Sequence, residues 1–320
     1  MKVVIIAGGM GTRLGRTDLP KPMVPILGAP ILEYQIKLVK RYNLTEIFIL
    51  SGCMANSIIE YFGSGSKWGV NIEHVVEGKP LGTAGAVKQL EHQIDERFMI
   101  LYGDTMMDIN LRRMIDFDCT ESIGTLLVHP NDHPYDSDLI EINSGTNKIV
   151  NFSSKPHGAS YKGNLVNAAL YILSPEIFHH IPQGAMCDFG RDIFPLVISK
   201  DLTLKAYRSA EYIKDMGTPD RLIKVEADLK SGKIQRLNSG NKRKAIFIDR
   251  DGVINKEVGN LSCVDDFELL PNVSKSVKVI NDSEFLAIVI TNQPVIAKGW
   301  CSIQELENIS FLIFTSLFLI

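Results

Sequence analysis

Over the first 230 residues, short runs of β-branched and aliphatic residues alternate with amphipathic stretches. That rhythm predicts a largely parallel sheet covered by helices, because parallel strands are buried on both faces and need long crossovers. Residues 3–7, 46–50, 71–76, 98–102 and 123–128 read as strands, and residues 30–41, 55–62 and 83–90 carry apolar positions at helical spacing. Pro30 suits a first helical turn, where its missing N–H costs nothing. After Asp138 the runs at 139–142, 148–152 and 167–173 look antiparallel, which predicts a second region of different topology beside the first sheet. No internal repeat is present.

Residues 231–244 break the pattern. This Ser-Gly-Lys-Ile-Gln-Arg-Leu-Asn-Ser-Gly-Asn-Lys-Arg-Lys stretch is polar, basic and glycine-containing, and reads as a linker. It separates a first domain over residues 1–230 from a second α/β unit over residues 245–320, where a new strand ends in Asp249 and another spans 286–290. The second unit is near the lower size at which a domain closes its own core.

Composition narrows the partners. Thirty-four Lys plus Arg against 37 Asp plus Glu leave a net charge of -3, so no global basic field exists to hold nucleic acid or an anionic membrane. Any anion must be bound locally. The longest apolar run, residues 311–320 with Thr315 and Ser316 interrupting, is shorter than the ~20 residues of a bilayer helix. The N-terminus enters Val3-Val4-Ile5-Ile6 behind one lysine, without a small-residue cleavage site, which predicts a cytoplasmic protein. Cys53, Cys119, Cys187, Cys263 and Cys301 are odd in number and form no C-x-x-C pair, so they read as buried or idle thiols.

A candidate anion site follows the first strand. Glycines in Gly8-Gly9-Met10-Gly11-Thr12-Arg13 let backbone N–H groups converge on one point, as in a phosphate cradle. The spacing excludes a Walker A loop, which needs Gly-Lys-[Ser/Thr], and a dinucleotide fingerprint, since Leu14 stands where a glycine is required. Arg13 supplies a fork suited to phosphate oxygens, and Lys21, between Pro20 and Pro22, adds a second cation. Together they suit a polyphosphate.

These residues resemble the sugar-nucleotidyltransferase family, whose Gly-Gly-x-Gly-Thr-Arg-Leu and later Lys-Pro are matched by Gly8, Gly9, Gly11, Thr12, Arg13, Leu14, Lys21 and Pro22. Pro80-Leu81-Gly82-Thr83-Ala84-Gly85 is similar to the family's base- and sugar-lining turn, and Gly103-Asp104 to its metal-binding pair. Lys155-Pro156 is similar to its sugar-phosphate lysine, and Asp215-x-Gly217-Thr218-Pro219 to its second metal aspartate. The resemblance implies an α/β, Rossmann-like (GT-A-like) fold with a mixed sheet and flanking helices. It also implies Mg²⁺-dependent joining of a nucleoside triphosphate to a sugar 1-phosphate.

That chemistry must bring two anions together, and a cation on one or two carboxylates relieves their repulsion. By resemblance, Asp104 and Asp215 hold Mg²⁺, Lys21 and Arg13 serve the α-phosphate and the leaving pyrophosphate, and Lys155 holds the acceptor phosphate. Ala7, Gly8, Gly9, Gly11, Thr12, Glu77, Gly82 and Thr83 line the nucleotide, and Gly103, Lys155 and Asn167 the sugar phosphate. Asp108 reads as a surface acid of helix N-cap type, and His179-His180 as surface or capping residues. Two departures bear on the sugar: Ser154 precedes Lys155 where the family commonly has Glu, and Ala169 stands where Asn-Ala-Gly is usual.

In the second unit, Asp249-Arg250-Asp251-Gly252-Val253 resembles the haloacid-dehalogenase (HAD-like) phosphatases, with Asp249 as nucleophile and Asp251 as general acid and base. Thr291-Asn292-Gln293 is similar to their phosphoryl-holding second motif, in the branch of heptose bisphosphate and histidinol phosphatases. Such a fusion supports GDP-heptose synthesis over other sugars, and the leading expectation is a guanylyltransferase that uses GTP and D-glycero-D-manno-heptose 1-phosphate or mannose 1-phosphate. Thymidylyl or uridylyl transfer and a non-catalytic nucleotide-sugar sensor are the alternatives, and self-association as a homo-oligomer is compatible with the sequence. The later lysine and acidic pair of the phosphatases do not follow, Val295 replaces a usual glycine, and residues 308–320 turn apolar. The expectation is an inactive, truncated or frame-shifted remnant with an exposed apolar tail.

Overall fold

The computed structural model describes every residue except 10–18, 53, 132–136, 144, 156–164 and 319–320. Gly11, Thr12, Arg13 and Pro156, all singled out above, lie outside the described residues, as does Cys53. The chain forms two compact units, Met1–Gly240 and Asn241–Ile320.

In the first unit the strands are β1 (Val3–Ile6), the short pair β2 (Pro25–Ile26) and β3 (Ala29–Pro30), β4 (Glu46–Ser51), β5 (Asn71–Val76), β6 (Phe98–Tyr102) and β7 (Thr105–Asp108). They continue with β8 (Gly124–Pro130), β9 (Leu139–Asn143), β10 (Lys148–Ser153), β11 (Leu165–Leu173), β12 (Leu204–Arg208) and β13 (Tyr212–Asp215). The helices are α1 (Ile31–Arg41), α2 (Ala55–Phe62), α3 (Gly82–Lys88), α4 (Leu111–Phe117), α5 (Phe194–Ser199), α6 (Pro219–Lys230) and α7 (Lys233–Arg236).

Nine strands make one mixed sheet in the order β5-β4-β1-β6-β11-β8-β12-β10-β9. Strands β5, β4, β1 and β6 run parallel, and β11 pairs antiparallel with both β6 and β8. The antiparallel strands after Asp138 therefore extend the first sheet instead of forming a separate region beside it. Leu170 to Leu173 register against Leu101 to Phe98, so the central strand β6 has no free edge.

Alternation within each strand fills both faces. Val4, Leu50 and Ile100 join one buried cluster while Val3, Ile5, Ile49, Met99 and Leu101 join the other. That two-sided burial explains the continuous apolar runs of the central strands.

A bulge interrupts the β11–β8 register between Asn167 and Tyr171, and Ala169 within it has φ +55°. A methyl-bearing residue pays about 1 kcal/mol or more in that left-handed region. Part of the relief from removing it is offset by the greater chain entropy of glycine. Ala169→Gly is therefore expected to stabilise the first unit by roughly 0.5–1 kcal/mol, read as a rise in thermal midpoint. A fall in the midpoint would contradict the strain.

Residues 231–240 are not a free linker. Ile234 on α7 is buried in a cluster with Val24, Ile26, Met216 and Val225, and Leu237 packs against it. Two apolar side chains at i, i+3 spacing suffice to dock this short helix. Asp108 is likewise not a surface acid: it is buried, and its Oδ1 accepts from Arg41 Nη1 at 2.8 Å and from Asn238 Nδ2 at 2.7 Å. The cap of α4 is Asn110, whose Oδ1 accepts from Arg113 N at 3.3 Å.

The second unit contains β14 (Ala245–Asp249) and β15 (Leu286–Ile290), paired in parallel, with α8 (Val273–Asp282), α9 (Pro294–Ala297) and α10 (Ile303–Phe318). The apolar stretch near the C-terminus belongs to α10 and buries Ile309 and Ile313, so it is not wholly an exposed tail. Among the described residues no helix is long and apolar enough to cross a membrane.

Candidate functional site

Strands β1 and β6 are parallel neighbours, so Ile6 lies opposite Tyr102 and the residues that follow, Ala7-Gly8-Gly9 and Gly103-Asp104, leave the sheet at one edge. Ligands of open α/β sheets bind at this carboxyl edge. Gly103 donates its N–H to the Ile6 carbonyl at 2.8 Å. A Cβ there would stand 3.0 Å from that oxygen and 3.2 Å from Pro22 Cγ, so glycine lets the Lys21-Pro22 turn pack onto the strand end. The chain returns to the loop through Lys21, whose N–H donates to the Gly9 carbonyl at 3.3 Å.

Lys21 is 8% exposed, and its ammonium donates to Asp104 Oδ2. Burial of a lysine is costly unless it is paired, and here the pairing carboxylate sits at the mouth of a cavity of about 140 Å³. Ile6, Gly9, Lys21, Pro22, Thr83, Tyr102 and Asp104 line that cavity.

Asp215 arrives from 111 residues away in sequence, the difference between 215 and 104, through a pairing that no local pattern announces. Strand β13 runs antiparallel to β7 with Asp215 opposite Thr105, and Met216 N donates to the Asp104 carbonyl at 3.1 Å. The Gly217-Thr218-Pro219 sequence then has a local purpose. Thr218 caps α6, Pro219 opens it, and Arg221 in the first turn reaches back to Asp215 Oδ2. Burial works against the Asp215 charge, but Arg221, Lys21 and the Gly217 N–H outweigh it and hold the carboxyl below its ordinary value. The structure thus brings Asp104, Asp215 and Lys21 together.

The nucleotide-lining residues divide. Glu77 Oε1 stands 3.2 Å from the position of a Cβ on Gly8, so its carboxylate borders the end of β1, and its Oε2 accepts from Leu81 N at 3.2 Å. Burial pushes its carboxyl up, partly offset by the Leu81 N–H. Gly82 has φ +71°, and a Cβ there would meet the Cys187 carbonyl oxygen at 2.5 Å. That carbonyl accepts from Ala84 N at 3.0 Å and Gly85 N at 3.2 Å, while Asp188 Oδ1 accepts from Thr83 N at 3.0 Å and Thr83 Oγ1 at 3.1 Å. The first turn of α3 is therefore satisfied by residues 187–188, and Thr83 lines the cavity with its N–H and hydroxyl engaged.

Asn167, expected at the sugar phosphate, donates to Tyr171 OH at 2.8 Å and accepts from Ala169 N at 3.3 Å. Tyr171 is buried and Tyr102 half-buried, and their hydroxyls are bonded to each other; desolvation raises both, Tyr102 to about 12. Lys155 is exposed on the segment after β10, and its N–H donates to Asp138 Oδ1 at 3.3 Å. The residues that sequence reasoning missed here are Arg221, Asp188 and Asp138; a carboxylate outside regular structure or a guanidinium in a helix's first turn carries no signal until the pairing of distant strands is known.

In the second unit, Asp249 and Ile290 are register partners, so Asp251 and Thr291 follow at one strand edge. Arg250, 1% exposed, grips Asp251 through Nε at 3.0 Å and Nη2 at 2.8 Å. Asn255 Nδ2 at 3.0 Å and Gln293 Nε2 at 2.9 Å add to this, and Gln293 Nε2 also donates to Thr291 Oγ1 at 2.6 Å. Burial opposes the Asp251 charge, yet these donors hold the carboxyl below its ordinary value. Asn292 is exposed. Cys119, Cys187, Cys263 and Cys301 are free, with Cys187 and Cys301 buried.

Comparison with known proteins agrees with the first unit. Residues 2–232 match the family described as Nucleotidyl transferase. The chain belongs to that family. A UTP--glucose-1-phosphate uridylyltransferase from Synechocystis sp. is 29% identical over 222 residues, covering 64% of this chain and 57% of the relative. A mannose-1-phosphate guanylyltransferase from Mycobacterium tuberculosis is 28% identical over 235 residues, covering 72% and 64% respectively. The chain thus spans less than two thirds of the length of these curated nucleotidyl transferase relatives. Among solved structures, HddC from Yersinia pseudotuberculosis complexed with GMP-PN is similar with a TM-score of 0.62 and 26% identity, over 71% of this chain and 99% of that one. The nucleotidyl transferase match ends before the second unit begins.

Proposed function

We propose that the first unit transfers a nucleotidyl group from a nucleoside triphosphate to a sugar 1-phosphate, with Mg²⁺, giving an NDP-sugar and pyrophosphate. GTP is the donor, and D-glycero-D-manno-heptose 1-phosphate or mannose 1-phosphate is the acceptor. The observation that carries this reading is the meeting of Lys21, Asp104 and the strand-paired Asp215 beside the cavity. An acceptor phosphate oxygen attacks the α-phosphorus as its bond to the pyrophosphate oxygen breaks, so negative charge gathers where this cation and these carboxylates lie.

The carboxylate pair suits Mg²⁺, which takes one or two carboxylates together with phosphate and water oxygens. Asp104 and Asp215 would hold it, and it would neutralise charge on the bridging phosphate oxygens. Lys21 would hold the α-phosphate at a point contact, Arg13 the departing pyrophosphate, and Lys155 the acceptor phosphate. Support for guanine comes from the Glu77 carboxylate beside Gly8, which can accept two hydrogen bonds. The likeness to a guanylyltransferase and to HddC with GMP-PN points the same way.

The test is pyrophosphate release from each of the four nucleoside triphosphates against mannose, glucose and heptose 1-phosphates. Turnover with GTP and mannose or heptose 1-phosphate supports the reading. Nucleotide binding without any turnover would favour a sensor instead.

The second unit is read as a phosphatase-like remnant without activity. Asp251 supports this, since three side chains already hold its carboxylate in the ionised form and leave it poorly placed to give up and take a proton. Phosphate release from heptose 1,7-bisphosphate, lost on Asp249→Asn, would overturn it.

A further inference from the structure

Nucleotidyl transfer needs the acceptor sugar to be oriented as well as its phosphate held, and the chain lacks an acidic residue just before Lys155. Ser154 stands there and donates its hydroxyl to the Gly190 carbonyl at 2.9 Å, which commits it to the protein. A carboxylate reaches the same place from the start of another strand. Asp138, immediately before β9, accepts the Lys155 N–H on Oδ1 at 3.3 Å, and its carbonyl accepts the Asn167 N–H at 3.0 Å. Its Oδ2 lies 2.7 Å from where a Cβ on Gly190 would stand, so the absence of a side chain at Gly190 leaves that oxygen room. One residue therefore touches the three segments that carry Lys155, Asn167 and Gly190.

Three further features fit a ligand contact. Asp138 is partly exposed, and among the described residues Oδ2 accepts no hydrogen bond and no cation pairs with the carboxylate. Its negative charge is felt at the buried hydroxyls of Tyr102 and Tyr171, which it helps to raise. Tyr102 also lines the cavity beside Lys21 and Asp104, so the charge of Asp138 is felt at a residue of the cavity wall. A partly exposed carboxylate oxygen with no donor among the described residues is open to a hydroxyl from outside the chain, and charge-assisted bonds of this kind are the stronger ones.

We infer that Asp138 Oδ2 accepts a hydrogen bond from a hydroxyl of the acceptor sugar, and so selects a polyhydroxylated sugar phosphate over phosphate alone. The inference rests on the nucleotidyl-transfer reading of the same site. Asp138→Asn keeps an acceptor for the Lys155 N–H while removing the charge and one acceptor oxygen, so it preserves the strut and removes the reader.

The experiment measures binding of α-D-mannose 1-phosphate, each of its monodeoxy analogues and inorganic phosphate to the full chain, by calorimetry with a non-hydrolysable GTP analogue present. In the unaltered protein one analogue is expected to bind about tenfold more weakly than mannose 1-phosphate. In Asp138→Asn, mannose 1-phosphate falls to the affinity of that analogue, and the analogue itself changes little. A purely structural Asp138 would weaken all the sugar phosphates and phosphate together. Equal binding of every analogue to the unaltered protein overturns the inference without any variant, and so does an Asp138→Asn protein that still tells them apart. Failure of the unaltered protein to bind mannose 1-phosphate at all would overturn both the inference and the mannose-type acceptor reading.

Discussion

Asp104→Asn is expected to lower kcat for pyrophosphate release by about 10³-fold while leaving the thermal midpoint within a few degrees of the unaltered protein. A metal bridging transferring phosphates contributes several kcal/mol to charge stabilisation, and each 1.36 kcal/mol is a factor of ten. Asparagine keeps an oxygen that can accept from Lys21, so the buried ammonium is not stranded, but it removes the charge that makes the position a Mg²⁺ ligand. Asp215→Asn should act on the same ion and lose activity to a similar degree, with the added effect of releasing Arg221. If the two carboxylates act as a unit, the double variant loses little more than the worse single one, since an interaction already broken cannot be broken again. The measurement is steady-state pyrophosphate release over a Mg²⁺ titration, with melting curves for each variant. Strictly multiplicative losses, or a kcat within tenfold of the unaltered protein for Asp104→Asn, would sink the shared-ion reading.

The parts of this site that were legible in advance share one property: they are local. The parallel half of the sheet could be read because β1 and β6 are apolar runs and β4 is one between Glu46 and Ser51, as strands buried on both faces must be. Gly8-Gly9, Lys21-Pro22 and Gly103-Asp104 could be read because each follows or packs against such a strand end. What escaped was long-range pairing. Strands β7 and β13 are four residues each, and β13 mixes Tyr, Ile, Lys and Asp, so neither announces the ladder that seats Asp215 opposite Thr105. The same applies to Asp108, whose burial depends on Arg41 and on Asn238, 130 residues downstream. Residues 231–240 differ from a free linker for a related reason: mean polarity hides the two apolar positions, Ile234 and Leu237, that dock the short helix.

Base preference gives the second large effect. Glu77→Gln is expected to reduce kcat/KM for GTP by about 10²-fold and to raise that for UTP or dTTP, shifting the ratio by about 10³. Guanine presents two adjacent donors on its pairing edge, and a carboxylate can accept both. Uracil and thymine present one donor between two carbonyls, which a carboxylate repels, whereas a carboxamide offers an acceptor and a donor side by side. Glu77 is placed for this, with Oε1 beside Gly8 and Oε2 steadied by Leu81 N. An internal control comes from pH. Because burial raises the Glu77 carboxyl, its protonated form accumulates at a higher pH than that of an ordinary glutamate, and that form accepts one bond in place of two. KM for GTP should therefore rise as pH is lowered into the mildly acidic range, before ordinary carboxylates titrate, and this rise should be absent in Glu77→Gln. Competition between GTP and UTP at fixed acceptor, across that pH range, measures both effects. An unchanged GTP to UTP ratio in the variant would remove Glu77 from base selection and leave the backbone near Ala7 and Gly8 as the reader.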